Sequence, residues 1–210
     1  MPNLIFYLVT AMTKSPKTNT RFLPKGLNIL FEDKDILVVE KPVGLLTVST
    51  EREKTKTAYA HLMDYVQKGA VKSRNRIFVV HRLDRDTSGI LIFAKNEMAK
   101  NYLQDNWEKI QKKYFAVTHG IWESKEGIIT SYLTENKAQY VHSTKDSQLG
   151  KLSKTGYKII RESNKFSLVE VSLITGRKNQ IRAHFSENSH PIVGDQKYGK
   201  ENAQYPRMAS

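Results

Sequence analysis

The segment HRLDRDTSGILIFAKN, residues 81–96, gathers the side chains of this chain best suited to chemistry. Five of its first six residues are charged or basic: His81, Arg82, Asp84, Arg85 and Asp86, with Leu83 the apolar exception. A small-residue turn, Thr87-Ser88-Gly89, separates them from an apolar run, Ile90 to Ala94, that reads as a fully buried strand. Ionic groups at the mouth of a core strand are costly to desolvate unless paired, so the cluster has a structural partner or a chemical task. Asp84 is the candidate carboxylate. The competing role for an Asp ahead of Thr-Ser-Gly is a turn-former that bonds a nearby backbone N–H. Arg82 strengthens the chemical reading, because residues two apart on a strand share a face.

Other candidates lie far along the chain. Tyr114 begins the strand-like KKYFAVTHG, where a half-buried core aromatic with a wet hydroxyl is the ordinary outcome. Arg177 and Arg182 flank a predicted helix start in TGRKNQIR, a place that welcomes an anion, although Arg182 could equally be a solvated surface cation. Lys72, Arg74 and Arg76 fall in KGAVKSRNR, which reads as an exposed basic loop.

Composition bounds the possible tasks. The 210 residues make one large domain or two small ones, and 39% hydrophobic with 10% aromatic content suits a globular protein. Lys and Arg outnumber Asp and Glu by 34 to 21, a net charge of +13, which points to a polyanionic partner, nucleic acid first and an anionic membrane surface second. There is no cysteine, so disulfides, thiolate metal sites and cysteine nucleophiles are excluded. None of the six histidines forms an H-x-x-x-H or H-E-x-x-H pair. No apolar stretch reaches the length of a membrane span, and MPNLIFYLVTAM lacks the flanks of a signal peptide, so it reads as a weak strand or tail and the cytoplasm is the expected location.

The elements that must position these residues follow from pattern. Residues 1–26 read as a flexible, Pro-punctuated lead-in. Ile29–Phe31 and Ile36–Val39 read as strands around an Asp-Lys-Asp turn. Thr57 to Lys68 reads as a helix opened by a capping Thr and stopped at Gly69. Asn96 caps a second helix whose stripe is Ala99, Tyr102, Leu103, Trp107 and Ile110, carrying Lys112 and Lys113 on toward the next strand. KKYFAVTHG and GIITSYL read as strands, TGYKII and FSLVEVSLI as a hairpin, and Arg177–Asn188 as a last helix with Ile181 and Phe185 facing the core. Strands outnumber helices and several join as hairpins, which predicts an α+β fold with a mixed, mainly antiparallel sheet and flanking helices.

In combination these segments resemble the RluA-type pseudouridine synthases. ILFEDKDILVVEKPVGLLT is similar to that family's entry segment, HRLDRDTSGILIFAKN to its catalytic segment and QKKYFAVTHG to its tyrosine strand. TGRKNQIRAHFSENSHPIVGDQKYG is similar to its arginine segment and closing G-D-x-x-Y-G. The resemblance runs from about residue 27 to 199, in the family's order. Two departures stand out. Asn179 occupies a position where the family most often has His, and the chain ends at QYPRMAS, where members usually continue into another strand or two.

The resemblance implies a single catalytic domain over residues 27–210, short or truncated at its end, with an active-site cleft across the sheet and no S4-like domain ahead of it. It implies that a uridine of ribosomal or transfer RNA becomes pseudouridine, by a monomer, after base flipping. Nothing is oxidised and no group is supplied, so neither cofactor nor metal is implied. Asp84 is the implied catalytic carboxylate, Tyr114 stacks on the base and shares in proton transfer, and Arg182 is the implied ion-pair partner of Asp84. Arg82 fills the vacated base position or holds a phosphate, Arg177 faces the RNA backbone, and Lys72, Arg74, Arg76, Lys112 and Lys113 supply backbone contacts.

Three other classes compete. A catalytically silent RNA-binding protein of the same fold would lose Asp84 or Tyr114, and both are present. A membrane-surface helix is diluted by Glu97, Asp105 and Glu108. A glycosidase needs a second acid opposite Asp84, and Asp86 lies beside it.

Overall fold

The Asp33-Lys34-Asp35 turn closes as its composition predicts. The Asp33 carboxylate accepts from the backbone N–H groups of Asp35 and Ile36 at 2.8 and 2.7 Å, joining β1 (Asn28–Glu32) to β2 (Ile36–Lys41). The computed structural model describes residues 26–70 and 72–199, and the chain divides into two compact units, one ending at Trp107 and one beginning at Glu108. The lead-in before Gly26 and the closing QYPRMAS lie outside the described residues.

In the first unit an antiparallel sheet runs in the order β1-β2-β4-β3, with β3 at Phe78–Val79 and β4 at Gly89–Ala94. Leu37, Val38, Val39, Leu91, Phe93 and Ala94 are buried. The expectation of a fully buried run over Ile90–Ala94 is corrected: Ile90 is 54% exposed and Ile92 half-buried. Successive side chains of a strand point to opposite faces: Leu91 and Phe93 lie on a covered face, and the face carrying Ile90 and Ile92 is fully covered only at Ala94. Helix α1 (Ala58–Gln67) opens on Thr57, whose hydroxyl accepts from Ala60 N–H at 3.1 Å, and it ends as Lys68 and Gly69 turn left-handed.

Helix α2 (Glu97–Asp105) starts on Asn96 as expected but stops earlier than the apolar spacing predicts. The Asn106 amide folds back to donate to Tyr102 O at 2.8 Å and closes the last turn. Trp107–Lys109 is a 3₁₀ turn and Tyr102 is exposed, so Trp107, Ile110 and Lys112 are not on a continued helix face.

The second unit is an antiparallel sheet in the order β5-β9-β8-β6-β7: β5 (Lys113–His119), β6 (Glu126–Glu135), β7 (Val141–Thr144), β8 (Lys151–Glu162) and β9 (Phe166–Leu173). The β8–β9 hairpin is the expected one, with a bulge at Ile160. Strand β7 is not foreseen, because VHST carries no apolar alternation. Ala116, Trp122, Val169, Val171 and Phe185 form the core.

Helix α3 (Gln180–Glu187) begins three residues later than expected, because Asn179 takes a left-handed conformation at φ 51° and leaves Arg177 in the preceding turn. A buried polar chain fixes α3 to the sheet. His184 bonds Ser131 Oγ at 3.0 Å and Thr155 Oγ1 at 2.9 Å, and Gln180 donates to Thr155 Oγ1 at 2.8 Å and Lys154 O at 3.0 Å. His184 is wholly buried, and burial holds its pKa below the usual imidazole value, with Glu187 opposing. The sign follows from linkage. An unfolded His takes up its proton near pH 6.5, whereas His184 resists it, so stability is full above that pH and falls with acidification toward the depressed folded pKa. The melting temperature should therefore drop between about pH 7 and 5. A His184→Asn variant should be less stable at pH 7 but show a shallower drop, and parallel curves would show that His184 is not the titrating group.

Candidate active site

Asp84 lies on a loop between β3 and β4, not on a strand, so the shared-face argument for Arg82 and Asp84 does not apply. The loop is shaped from beneath. Leu83 is buried, and the Thr47 hydroxyl both donates to Leu83 O at 2.7 Å and accepts from Leu83 N–H at 3.2 Å. Thr87 N–H closes a turn on Asp84 O at 3.2 Å, and Gly44 N–H reaches Arg85 O at 2.9 Å.

Lys41 completes this support. Its side chain is fully buried, and its ammonium donates to Pro42 O at 2.8 Å, Leu45 O at 2.7 Å and Arg85 O at 3.1 Å. One cation thus satisfies three carbonyls and fastens the K-P-V-G turn to the Asp84 loop. Burial pushes the Lys41 pKa down, while the charges of Asp86 and then Asp84 pull it back up. A buried ammonium is tolerable only with such a full set of acceptors. Sequence reasoning misses Lys41 as a site residue; its signal is the K-P-x-G spacing, read only as an entry signature.

His81 is engaged on both sides. Its Nε2 accepts from Ile92 N–H at 3.0 Å, and its ring stacks on Trp107 with centroids 4.3 Å apart. An imidazole that accepts through Nε2 is neutral. Arg82 is exposed, and Arg85 pairs with Asp86 at 3.0 Å on the surface. Lys72, Arg74 and Arg76 are exposed on the segment between α1 and β3, which Asn75 ties to Val66 O at 3.1 Å. Arg76 and Lys100 both approach the Phe78 ring, at 5.9 and 5.8 Å, so cations flank an aromatic face.

In the second unit Tyr114 stands opposite Val171 on β5, half-buried and packed against the core cluster. Lys112 precedes β5 and is half-buried. Lys113 is the first residue of that strand and pairs with Glu170 at 2.9 Å. Neither belongs to a helix face, and part of the Lys113 charge is met by Glu170. Arg177 is exposed, with its backbone N–H donating to Gln180 Oε1 at 3.0 Å, and the neighbouring Lys178 pairs with Glu135.

Arg182 is the most constrained of the candidates. Its Nε and Nη2 donate to the two oxygens of Asp195 at 2.7 and 2.8 Å, and Nη1 donates to Asn179 Oδ1 at 3.2 Å. Its guanidinium carbon sits 5.0 Å from the centroid of the Tyr198 ring. Burial works to raise the Asp195 pKa, yet bonds from Arg182 and from the backbone N–H groups of Tyr198 and Lys197 outweigh it and hold the carboxyl below its usual range. Asp195 is a second residue that sequence reasoning misses, and the G-D-x-x-Y-G motif is its signal. Among the described residues no group of three or more His, Asp or Glu could hold a metal, and no helix is long and apolar enough to cross a membrane.

Comparison with known proteins bears on this set. The family model described as RNA pseudouridylate synthase matches residues 35–187, a span that runs through both units. An uncharacterised RNA pseudouridine synthase of Bacillus subtilis, YlyB, is 36% identical over 84% of this chain and 59% of its own length. The ribosomal large subunit pseudouridine synthase D of Pasteurella multocida is 32% identical over 86% of this chain and 56% of its own. The chain thus spans under two thirds of the length of these relatives. The solved structure of human RNA pseudouridylate synthase domain containing 4 superposes with a TM-score of 0.72 at 24% identity, covering 99% of this chain and 78% of that one, a likeness of fold. That of human RNA pseudouridylate synthase domain containing 1 gives 0.67 at 25% identity, over 92% and 76%.

Proposed function

The chain belongs to the RNA pseudouridylate synthase family, and we propose that it isomerises a uridine of ribosomal or transfer RNA to pseudouridine. The observation that carries this reading is the Asp84 loop. It holds a half-buried carboxylate on a backbone fastened by Lys41 and Thr47, as a group with a fixed task requires.

The reaction breaks N1–C1′, turns the uracil and joins C5 to C1′; C5 gives up its hydrogen and N1 ends with one. Asp84 either attacks C1′ or takes a proton from C2′, and both routes need it ionised. Arg182 serves as the cationic partner of this carboxylate, a task that suits a side chain that stays protonated. Tyr114 stacks on the base and takes part in proton transfer from C5. The target nucleotide must leave its stack to be reached. Lys72, Arg74, Arg76, Arg82, Arg177, Lys112 and Lys113 meet RNA backbone, with the +13 charge behind them. Residues 27–210 act as one catalytic domain, as a monomer in the cytoplasm.

Loss of the C5 hydrogen gives the test. Large-subunit ribosomal RNA and tRNA transcripts labelled with tritium at uracil C5 should release tritium to water when incubated with the protein, and should do so in the presence of EDTA. Tight binding without release from either RNA would favour the silent RNA-binding reading. Activity lost to EDTA and restored by a metal would contradict the metal-free chemistry.

A further inference from the structure

We infer that Asp195 and Asn179 are positioning residues that aim the Arg182 guanidinium, an inference that rests on the reading of Arg182 as the charge partner of the catalytic carboxylate. A long arginine side chain has much rotamer freedom to lose, so one that must meet a substrate-bound site gains from being fixed beforehand. Arg182 is fixed on three sides. Asp195 takes the Nε–Nη2 edge with two bonds, Asn179 takes an N–H of Nη1, and Tyr198 lies against the face. Because the guanidinium is planar, gripping one edge sets the direction of the other.

The holder is itself built rigidly. Asp195 Oδ1 also accepts from Lys197 N–H at 2.9 Å and Tyr198 N–H at 3.0 Å, so the carboxylate is locked in its own turn. Gly199 closes that turn, and a Cβ there would collide with Asp195 O. Tyr198 is buried; its hydroxyl accepts from Val141 N–H at 3.0 Å and from the Asn179 amide at 3.3 Å. Asn179 therefore does two things at once. It tolerates a left-handed φ of 51°, which few side chains do, and it bridges Arg182 to Tyr198.

Asp195→Asn separates positioning from structure. Asparagine keeps an oxygen for the two backbone N–H groups but turns an amide N–H toward Arg182 Nε, setting donor against donor. With the tritiated RNA that serves as substrate, and at a temperature well below the variant's lowered melting point, kcat should fall about 100-fold while KM stays close to wild type. The Arg182 Nε–H resonance of the free protein should lose its protection from exchange. In an Arg182→Lys background the same change should cost less than about threefold, since two residues acting as one unit are not additive. Asn179→Gly, which keeps the φ and drops the amide, should lower kcat about tenfold in the wild-type background, with less effect on KM. An equal loss from Asp195→Asn in both backgrounds, or unchanged kcat in both Asp195→Asn and Asn179→Gly, would overturn the inference. Wild-type turnover in Arg182→Lys alone would instead remove the reading of Arg182 on which it rests.

Discussion

An Asp84→Asn variant should form no pseudouridine while binding RNA within about tenfold of the wild-type affinity, because phosphate contacts dominate that affinity. The substitution is nearly isosteric, and the loop around it is held by groups that do not involve the Asp84 side chain: the Lys41 ammonium on Arg85 O, the Thr47 hydroxyl on Leu83, and Gly44 N–H on Arg85 O. The backbone should therefore keep its course. What is lost is the charged oxygen, and an amide can neither attack C1′ nor remove a proton from C2′. The effect should appear as absent tritium release at RNA concentrations that saturate binding. Measurable turnover by the purified variant would take the catalytic role away from Asp84.

A Tyr114→Phe variant should bind RNA normally and fold normally, yet lose about 10² to 10⁴ in rate, the usual contribution of a general acid–base group. The ring packs against the cluster of Val171, Phe185 and their neighbours, and phenylalanine preserves that packing. Only the hydroxyl is removed. A single-turnover assay with saturating protein isolates the chemical step from binding and product release. Wild-type rates in that assay would return Tyr114 to the role of a half-buried core aromatic.

Much of the frame was legible because local rules dominate it. Thr57 and Asn96 cap their helices through the bonds their side chains predict, and the Asp33 turn closes its hairpin. At the helix ends the failures lie with two asparagines, one through a side-chain bond and one through its backbone conformation. Asn106 ends α2 before its apolar spacing runs out, and Asn179 delays α3 by turning left-handed. Strand β7 exists through pairing with β6, which its own four residues do not announce. At the candidate site, residue types singled out Asp84 and the family resemblance added Tyr114 and Arg182, but the groups that support these residues were hidden in motifs read as signatures. Lys41 and Asp195 are charged residues that work from below the surface, and burial of a charge cannot be read from composition. Lys113, expected to meet RNA backbone, also has a partner on the neighbouring strand, Glu170, that its own segment does not announce.

The pairing of β5 with β9 has a consequence for synthesis. Strand β5 ends at His119 and its partner does not begin until Phe166, so at about 5–20 residues per second the ribosome delivers β9 roughly 2 to 10 s later. Meanwhile the tyrosine strand is outside the tunnel with its hydrogen-bonding edge unmet. Phe115 and Val117, which stay exposed even in the folded sheet, make this segment a ready target for unwanted strand addition. Lys112 stands immediately before it and Lys113 is its first residue, and charge there discourages such pairing. Nascent chains halted when β5 has emerged but β9 is still inside the tunnel should be those that engage holding chaperones most strongly, and release should follow once β9 emerges.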